Sequence, residues 1–292
     1  FKILWLRQQS FLRKEHAMSK LAFIFPGQGA QKAGMGKDFY DNSEAARSFF
    51  DNAQKILDFD LKEMCFGEHE ELNLTEYTQP CMVSVCLAIV QELKKRGINP
   101  DITAGLSLGE YAAVAAAGGM NEMDAIKLVR RRGILMQSTV PAGEGAMAAV
   151  LGLDAKKIEE ILESFENVWI ANYNCPGQIV ITGLTNEVQQ ASLALKEAGA
   201  KRVVELKVSG PFHSLLLKPA GEALLQEMES MSFSPLQVPY VANATAEIVE
   251  DSKKISTFFA KGIYSSVRWQ QSIETMLENG VDTFVEIGPG KT

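Results

Sequence analysis

Histidine is scarce in this chain, with three among 292 residues, at positions 16, 69 and 213. The four cysteines, Cys65, Cys81, Cys86 and Cys175, form neither a CxxC pair nor a dense framework. That spacing argues against a metal site and a disulfide scaffold, and predicts buried thiols in a reducing, cytoplasmic setting. Long apolar runs are missing too. No stretch reaches the roughly 20 uninterrupted residues that span a bilayer, so no membrane association is expected. Basic charge is in deficit, 29 Lys and Arg against 36 Asp and Glu, which argues against nucleic acid as a partner. Residues 1–17 deepen the deficit elsewhere. They hold Lys2, Arg7, Arg13 and Lys14 against Glu15 alone and precede Met18, so they are read as an N-terminal extension that is not native. From Met18 onward 25 basic residues face 35 acidic ones.

What is present is ordinary globular material, 46% hydrophobic and 22% charged, long enough for one large domain or two modest ones. An apolar strand, Leu21 to Phe25, runs into the turn Pro26-Gly27-Gln28-Gly29. Helical periodicity follows at 43–57 and 81–95, then a short buried strand at Ala104-Gly105. Between Gly145 and Val208 the pattern becomes strand 146–151, helix 155–165, strands 168–174 and 178–182, helix 187–198, strand 202–208. That βαββαβ order is the split βαβ of ferredoxin-like domains. It predicts a small subdomain, 144–209, inserted into a larger α/β body formed by 18–143 and 210–292. The remaining elements are a helix at 219–231, a strand at 238–242, a helix at 267–279 and a strand at 283–287. That last strand lacks a covering helix, and the chain is expected to continue past Thr292.

Three features carry chemistry. Gly105-Leu106-Ser107-Leu108-Gly109 lies between a strand and the Ala-rich helix 110–117, the setting of a nucleophile elbow. The Leu108 N–H and the positive end of that helix would face an oxyanion formed at Ser107; the competing reading is a glycine turn that only joins two elements. A serine nucleophile needs a base. His16 lies in the extension and His69 in the acidic run 68–71, which leaves His213, in the turn Ser209-Gly210-Pro211-Phe212-His213. Arg132 falls on the apolar stripe of the helix 123–136, with Ala125, Leu128, Val129, Leu135 and Met136, whereas Arg130 and Arg131 point about 100° and 200° away. An inward guanidinium needs an anion, which is either a structural carboxylate or the carboxylate of a substrate.

Phe25-Pro26-Gly27-Gln28-Gly29, Gly105 to Glu110, Arg132, Pro176-Gly177-Gln178, Gly210-Pro211-Phe212-His213-Ser214 and Glu286-Ile287-Gly288-Pro289-Gly290 occur in the order seen in malonyl-CoA:acyl carrier protein transacylases, which the chain resembles from Met18 to its end. The resemblance implies an α/β-hydrolase-like large domain with the ferredoxin-like insert as the other wall of the cleft. It also implies Ser107 as nucleophile, His213 as base, an oxyanion hole from the backbone of Gln28 and Leu108, and Arg132 on the malonate carboxylate. Asn174 would sit near the substrate and Phe212 would disfavour an α-methyl branch. Malonyl-CoA and an acyl carrier protein are the implied partners, with no bound cofactor, no metal and a monomeric enzyme. Three positions depart from the common pattern: Leu106 for histidine, Ser266 for proline and Gly262 for glutamine. The family orients its histidine through a backbone carbonyl near position 262, a role glycine keeps although the loop could loosen. Arg130, Arg131, Lys201 and Arg202 are the candidate docking cations for an acidic carrier. An acyltransferase of other selectivity, a serine thioesterase or esterase, and a non-catalytic acyl-binding protein remain the alternatives.

Overall fold

The computed structural model describes residues 19–208 and 210–290 together with the backbone of Leu6 and Arg7; His16 and Met18 lie outside the described residues. Strands β1 (Leu6–Arg7), β2 (Lys20–Phe25), β3 (Ile102–Gly105), β4 (Gly145–Leu151), β5 (Val168–Cys175), β6 (Gln178–Leu184), β7 (Arg202–Glu205), β8 (Tyr240–Val241), β9 (Ile248–Val249) and β10 (Val281–Glu286) form two sheets. The larger is ordered β1-β10-β2-β3-β8-β9. Its four inner strands are parallel, and β1 and β9 add antiparallel edges. Parallel strands covered on both faces read as apolar runs, and Ala22, Phe23, Phe25 and Ala104 are wholly buried. One consequence positions the site. The carboxyl ends of β2, β3, β8 and β10 share one edge, so the turns at Pro26, Leu106, Asn243 and Gly288 meet there, where open α/β sheets bind their ligands.

The smaller sheet, β5-β6-β4-β7, is antiparallel throughout. The helices Ala155–Leu162 and Thr185–Glu197 cover it over a separate apolar core that includes Ile158, Ile170, Ile181 and Leu195. Among the contacts that join this layer to the first, two lie close to the site. Asn172 of β5 bridges Val267, and Gly145 lies so close to the His213 loop that a Cβ there would stand 2.3 Å from Pro211 Cδ.

Several expected boundaries move for identifiable reasons. The helix expected to follow Pro80 instead runs Thr75–Lys95 through it. Proline cannot donate to the carbonyl four residues back; that carbonyl, of Glu76, takes its hydrogen bond from Arg130 Nη1 at 2.8 Å. The expected strand 202–208 ends at Glu205, because after Leu206 N–H bonds Met147 O the chain folds on itself, Val208 N–H to Leu206 O. The helix expected from Val267 starts at Trp269, since Val267 is extended and exchanges hydrogen bonds with Ala171 and Tyr173. The helix expected over 43–57 runs Glu44–Gln54, capped by the Ser43 hydroxyl, which accepts from Ala46 N–H, and a separate short helix, Lys37–Asn42, precedes it. The helix Ile255–Tyr264 was not anticipated; it buries Ile255, Phe259 and Ile263 along one face and carries Gly262 in its last turn.

Candidate active site

The elbow is built by its glycines. A Cβ at Gly105 would stand 1.9 Å from Gly109 C, and one at Gly109 would stand 2.3 Å from Phe25 O, so neither position admits a side chain. The tight reversal leaves Ser107 at φ +52°, in the left-handed region that a non-glycine residue adopts only when its surroundings hold it. Its N–H is taken by Asn243 Oδ1 at 2.6 Å. Among the described residues no acceptor takes the N–H of Leu108 or of Gln28, the two donors implied for an oxyanion hole. The Gln28 side chain is tied back, Nε2 donating to Thr75 Oγ1 at 3.2 Å.

His213, 106 residues away in the chain, brings Nε2 to 2.8 Å from Ser107 Oγ. Its Nδ1 lies 2.9 Å from Gly262 O. A carbonyl only accepts, so Nδ1 carries the hydrogen and Nε2 is free to accept the serine proton. Gly262 O belongs to the last turn of its helix, where carbonyls lack intrahelical partners and the helix dipole is negative. The departure to glycine therefore leaves the carbonyl on a helix, not on a loosened loop. Burial, and then the neighbouring Arg132 cation, lower the His213 pKa to about 4 against the opposing pull of the Gly262 and Ser265 backbone. The imidazole is accordingly neutral at pH 7.

Arg132, on the helix Glu122–Ser138, is 2% exposed. Its Nη2 donates to Ser107 Oγ at 3.1 Å, its guanidinium lies 5.2 Å from the Tyr111 ring centre, and its Nε has no partner. Among the described residues no carboxylate forms an ion pair with it. The arginine is thus a buried cation beside Ser107 with no carboxylate in ion-pair contact, Glu110 acting on it only from farther off, a condition that favours binding a negatively charged group. Ser107, His213, Arg132, Gln28, Asn174 and Phe212 all line one cleft of ≈ 520 Å³. Within it the Asn174 Oδ1 lacks a partner.

Asn243 escaped the sequence reading, and Glu110, though it ends the elbow motif, was given no role there. Asn243 follows β8 at the carboxyl edge of the parallel sheet, the one signal that could have drawn attention to it. Glu110 is buried against Asn243 N–H, and desolvation raises its pKa to about 8. Cys175 also differs from expectation: it is exposed, while the other three thiols are buried. Arg130 is no docking cation. It chelates Asp58 with Nε and Nη2, pairs with Glu76, and stacks over Tyr77 and Phe59. Arg131 is paired with Glu227, which leaves Lys201 and Arg202 exposed on the smaller layer.

A family model described as an acyl transferase domain matches residues 22–291. The malonyl CoA-acyl carrier protein transacylase of Bacillus subtilis (strain 168) is 46% identical over 279 residues, 94% of this chain and 88% of that protein. An acyl carrier protein S-malonyltransferase from Vibrio cholerae O1 biovar eltor str. N16961 has a similar structure, with TM-score 0.91 and 40% identity over 94% of this chain and 91% of that one. A malonyl-transacylase solved in complex with its type II PKS acyl-carrier protein gives TM-score 0.90 and 39% identity over 93% and 90%. The chain belongs to the acyl transferase family, among the malonyl CoA-acyl carrier protein transacylases.

Proposed function

We propose that this acyltransferase moves a malonyl group from malonyl-CoA to the phosphopantetheine thiol of an acyl carrier protein through a covalent Ser107 ester, supplying the extender unit for fatty acid synthesis. His213 Nε2 takes the Ser107 proton, Oγ bonds to the thioester carbonyl carbon, and the N–H groups of Gln28 and Leu108 receive the negative oxygen. The C–S bond breaks, and the departing thiolate takes the proton from His213. In the second half the carrier thiol gives its proton to His213, sulfur attacks the ester, and Ser107 Oγ regains a proton as it leaves. Arg132 holds the free carboxylate of the acyl group in one pose. Phe212 crowds the α-carbon against a methyl branch, and Asn174 offers its unpartnered oxygen to the substrate.

The single observation that carries this reading is the convergence on Ser107 Oγ of a neutral imidazole at 2.8 Å and, at 3.1 Å, a guanidinium with no ion-paired carboxylate among the described residues. The relatives' names supply the malonyl group and the carrier. The same reading makes residues 18–143 and 210–292 an α/β-hydrolase-like domain and 144–209 a ferredoxin-like insert, supported by the order β5-β6-β4-β7 with two crossover helices. It makes the enzyme a cytoplasmic monomer that needs no cofactor. Intact mass after mixing with malonyl-CoA tests the chemistry: a malonyl adduct forms on the protein and is abolished by Ser107→Ala. An adduct that survives the substitution refutes it.

A further inference from the structure

We infer that Asn243 is a positioning residue for the nucleophile, its side-chain amide holding the Ser107 elbow in the strained backbone that presents Oγ to His213. This rests on the reading of Ser107 as nucleophile. The Asn243 side chain is 2% exposed and spans the apex of the turn: Oδ1 accepts the Ser107 N–H at 2.6 Å, and Nδ2 donates to Gly105 O at 2.6 Å. One planar amide thus satisfies the last carbonyl of β3 and the N–H of the reactive residue. Without it the buried Gly105 O and the part-buried Ser107 N–H would lose these partners.

The amide is itself fixed at both ends of its backbone. Asn243 N–H donates to Glu110 Oε1 at 3.1 Å, and Glu110 lies in the first turn of the helix that follows the elbow. Gly105, Ser107, Glu110 and Asn243 therefore close a ring of contacts around the turn. On the other side Asn243 O accepts from Arg268 N–H at 2.9 Å. Arg268 follows Val267, whose backbone is bonded to Ala171 and Tyr173 of β5. Asn243 thereby links the elbow to the strand that carries Asn174 into the cleft. Because it occupies the Ser107 N–H, it also leaves the Leu108 and Gln28 donors as the pair available to an oxyanion.

No close substitute fills both roles. Aspartate keeps the shape and the acceptor but sets an oxygen against Gly105 O. Alanine removes both contacts. The test compares wild type with Asn243→Asp and Asn243→Ala at saturating malonyl-CoA, following the acyl-serine by quenched-flow intact mass beside KM and thermal midpoint. Acylation is expected to slow about 10- to 100-fold. KM is expected to stay within about threefold, with a full burst per folded chain. An asparagine that served only stability would shrink the folded fraction while the surviving molecules acylated at the wild-type rate, and that outcome in Asn243→Asp overturns the inference. Where Asn243→Ala does not fold, Asn243→Ser and Asn243→Asp decide by the same readouts. The wild-type arm separates the two layers. No adduct on wild-type Ser107 sinks the nucleophile reading and this inference with it, whereas a wild-type adduct with unchanged variant rates sinks the Asn243 inference alone.

Discussion

Arg132→Ala is expected to divide malonyl from acetyl transfer. Arg132 is 2% exposed and has no carboxylate in ion-pair range among the described residues. A malonate carboxylate seated against it would be a buried, charge-assisted pair, and removing one member of such a pair costs about 3–5 kcal/mol. At 1.36 kcal/mol per factor of ten, kcat/KM for malonyl-CoA should fall about 10²- to 10⁴-fold. Acetyl-CoA brings no carboxylate. It loses only the 3.1 Å contact from Nη2 to Ser107 Oγ, and in the wild-type enzyme it leaves the cation unmatched. Its kcat/KM should change by less than about tenfold. Rates of acyl-enzyme formation at sub-saturating malonyl-CoA and acetyl-CoA, on protein checked for its thermal midpoint, measure the difference. Equal losses for the two thioesters would mean that Arg132 is a structural residue, and the assignment of the carboxylate site would fall.

The depressed pKa of His213 sets the pH profile. Its neutral form persists down to about 4, so kcat/KM should stay level from pH 8 to about 5.5 and fall only near 4, in place of the usual histidine limb near 6.5. Arg132→Ala removes the neighbouring cation and should move that limb upward. An unshifted limb would show that burial alone sets it. The same shift affects stability: between pH 6.5 and 4 the unfolded chain binds more protons at this histidine than the folded one, so stability is lost as pH falls through that window. Gly262→Ala should be tolerated, because a Cβ there meets only Glu110 Oε2, at 3.6 Å. In a helix the substitution should add about 0.5–1 kcal/mol, with acyl transfer preserved because the carbonyl to His213 remains. Chemical denaturation beside the transfer assay measures both, and a loss of activity would mean that the His213 orientation needs glycine itself.

What could be read in the sequence was what acts locally. The glycines of the elbow are dictated by sterics within five residues, and the reversal they permit is written in their spacing. His213 was isolated by scarcity, and Arg132 by a charge on an apolar stripe. Asn243 left no such mark. It sits 136 residues from Ser107, and nothing near it in the chain announces that its amide fits between two peptide groups of another strand. Gly262 acts through a carbonyl, a group every residue has. The passage of a helix through Pro80 depended on a side chain fifty residues on, Arg130, meeting the carbonyl that proline frees. The same engagement withdrew Arg130 from the surface, which pattern alone could not reveal because its partners Asp58 and Glu76 are distant in sequence. Helix and strand ends shifted wherever backbone groups found tertiary partners, as at Val267 and Leu206.

The bridge between Asn172 and Val267 ties one wall of the cleft to the other. With Gly145 pressed on Pro211, the two layers that line the cleft also meet at a second place, and on the proposed reading an acceptor has to reach Ser107 between them. Reach then becomes the criterion of entry. A cysteine on the body of a folded protein is too short and too broad at its base to bring sulfur to a serine at the floor of such a slot. A thiol at the end of a long, thin, unbranched arm is not. If Ser107 is the acyl carrier proposed above, acceptors should sort by the length and slenderness of what carries their sulfur.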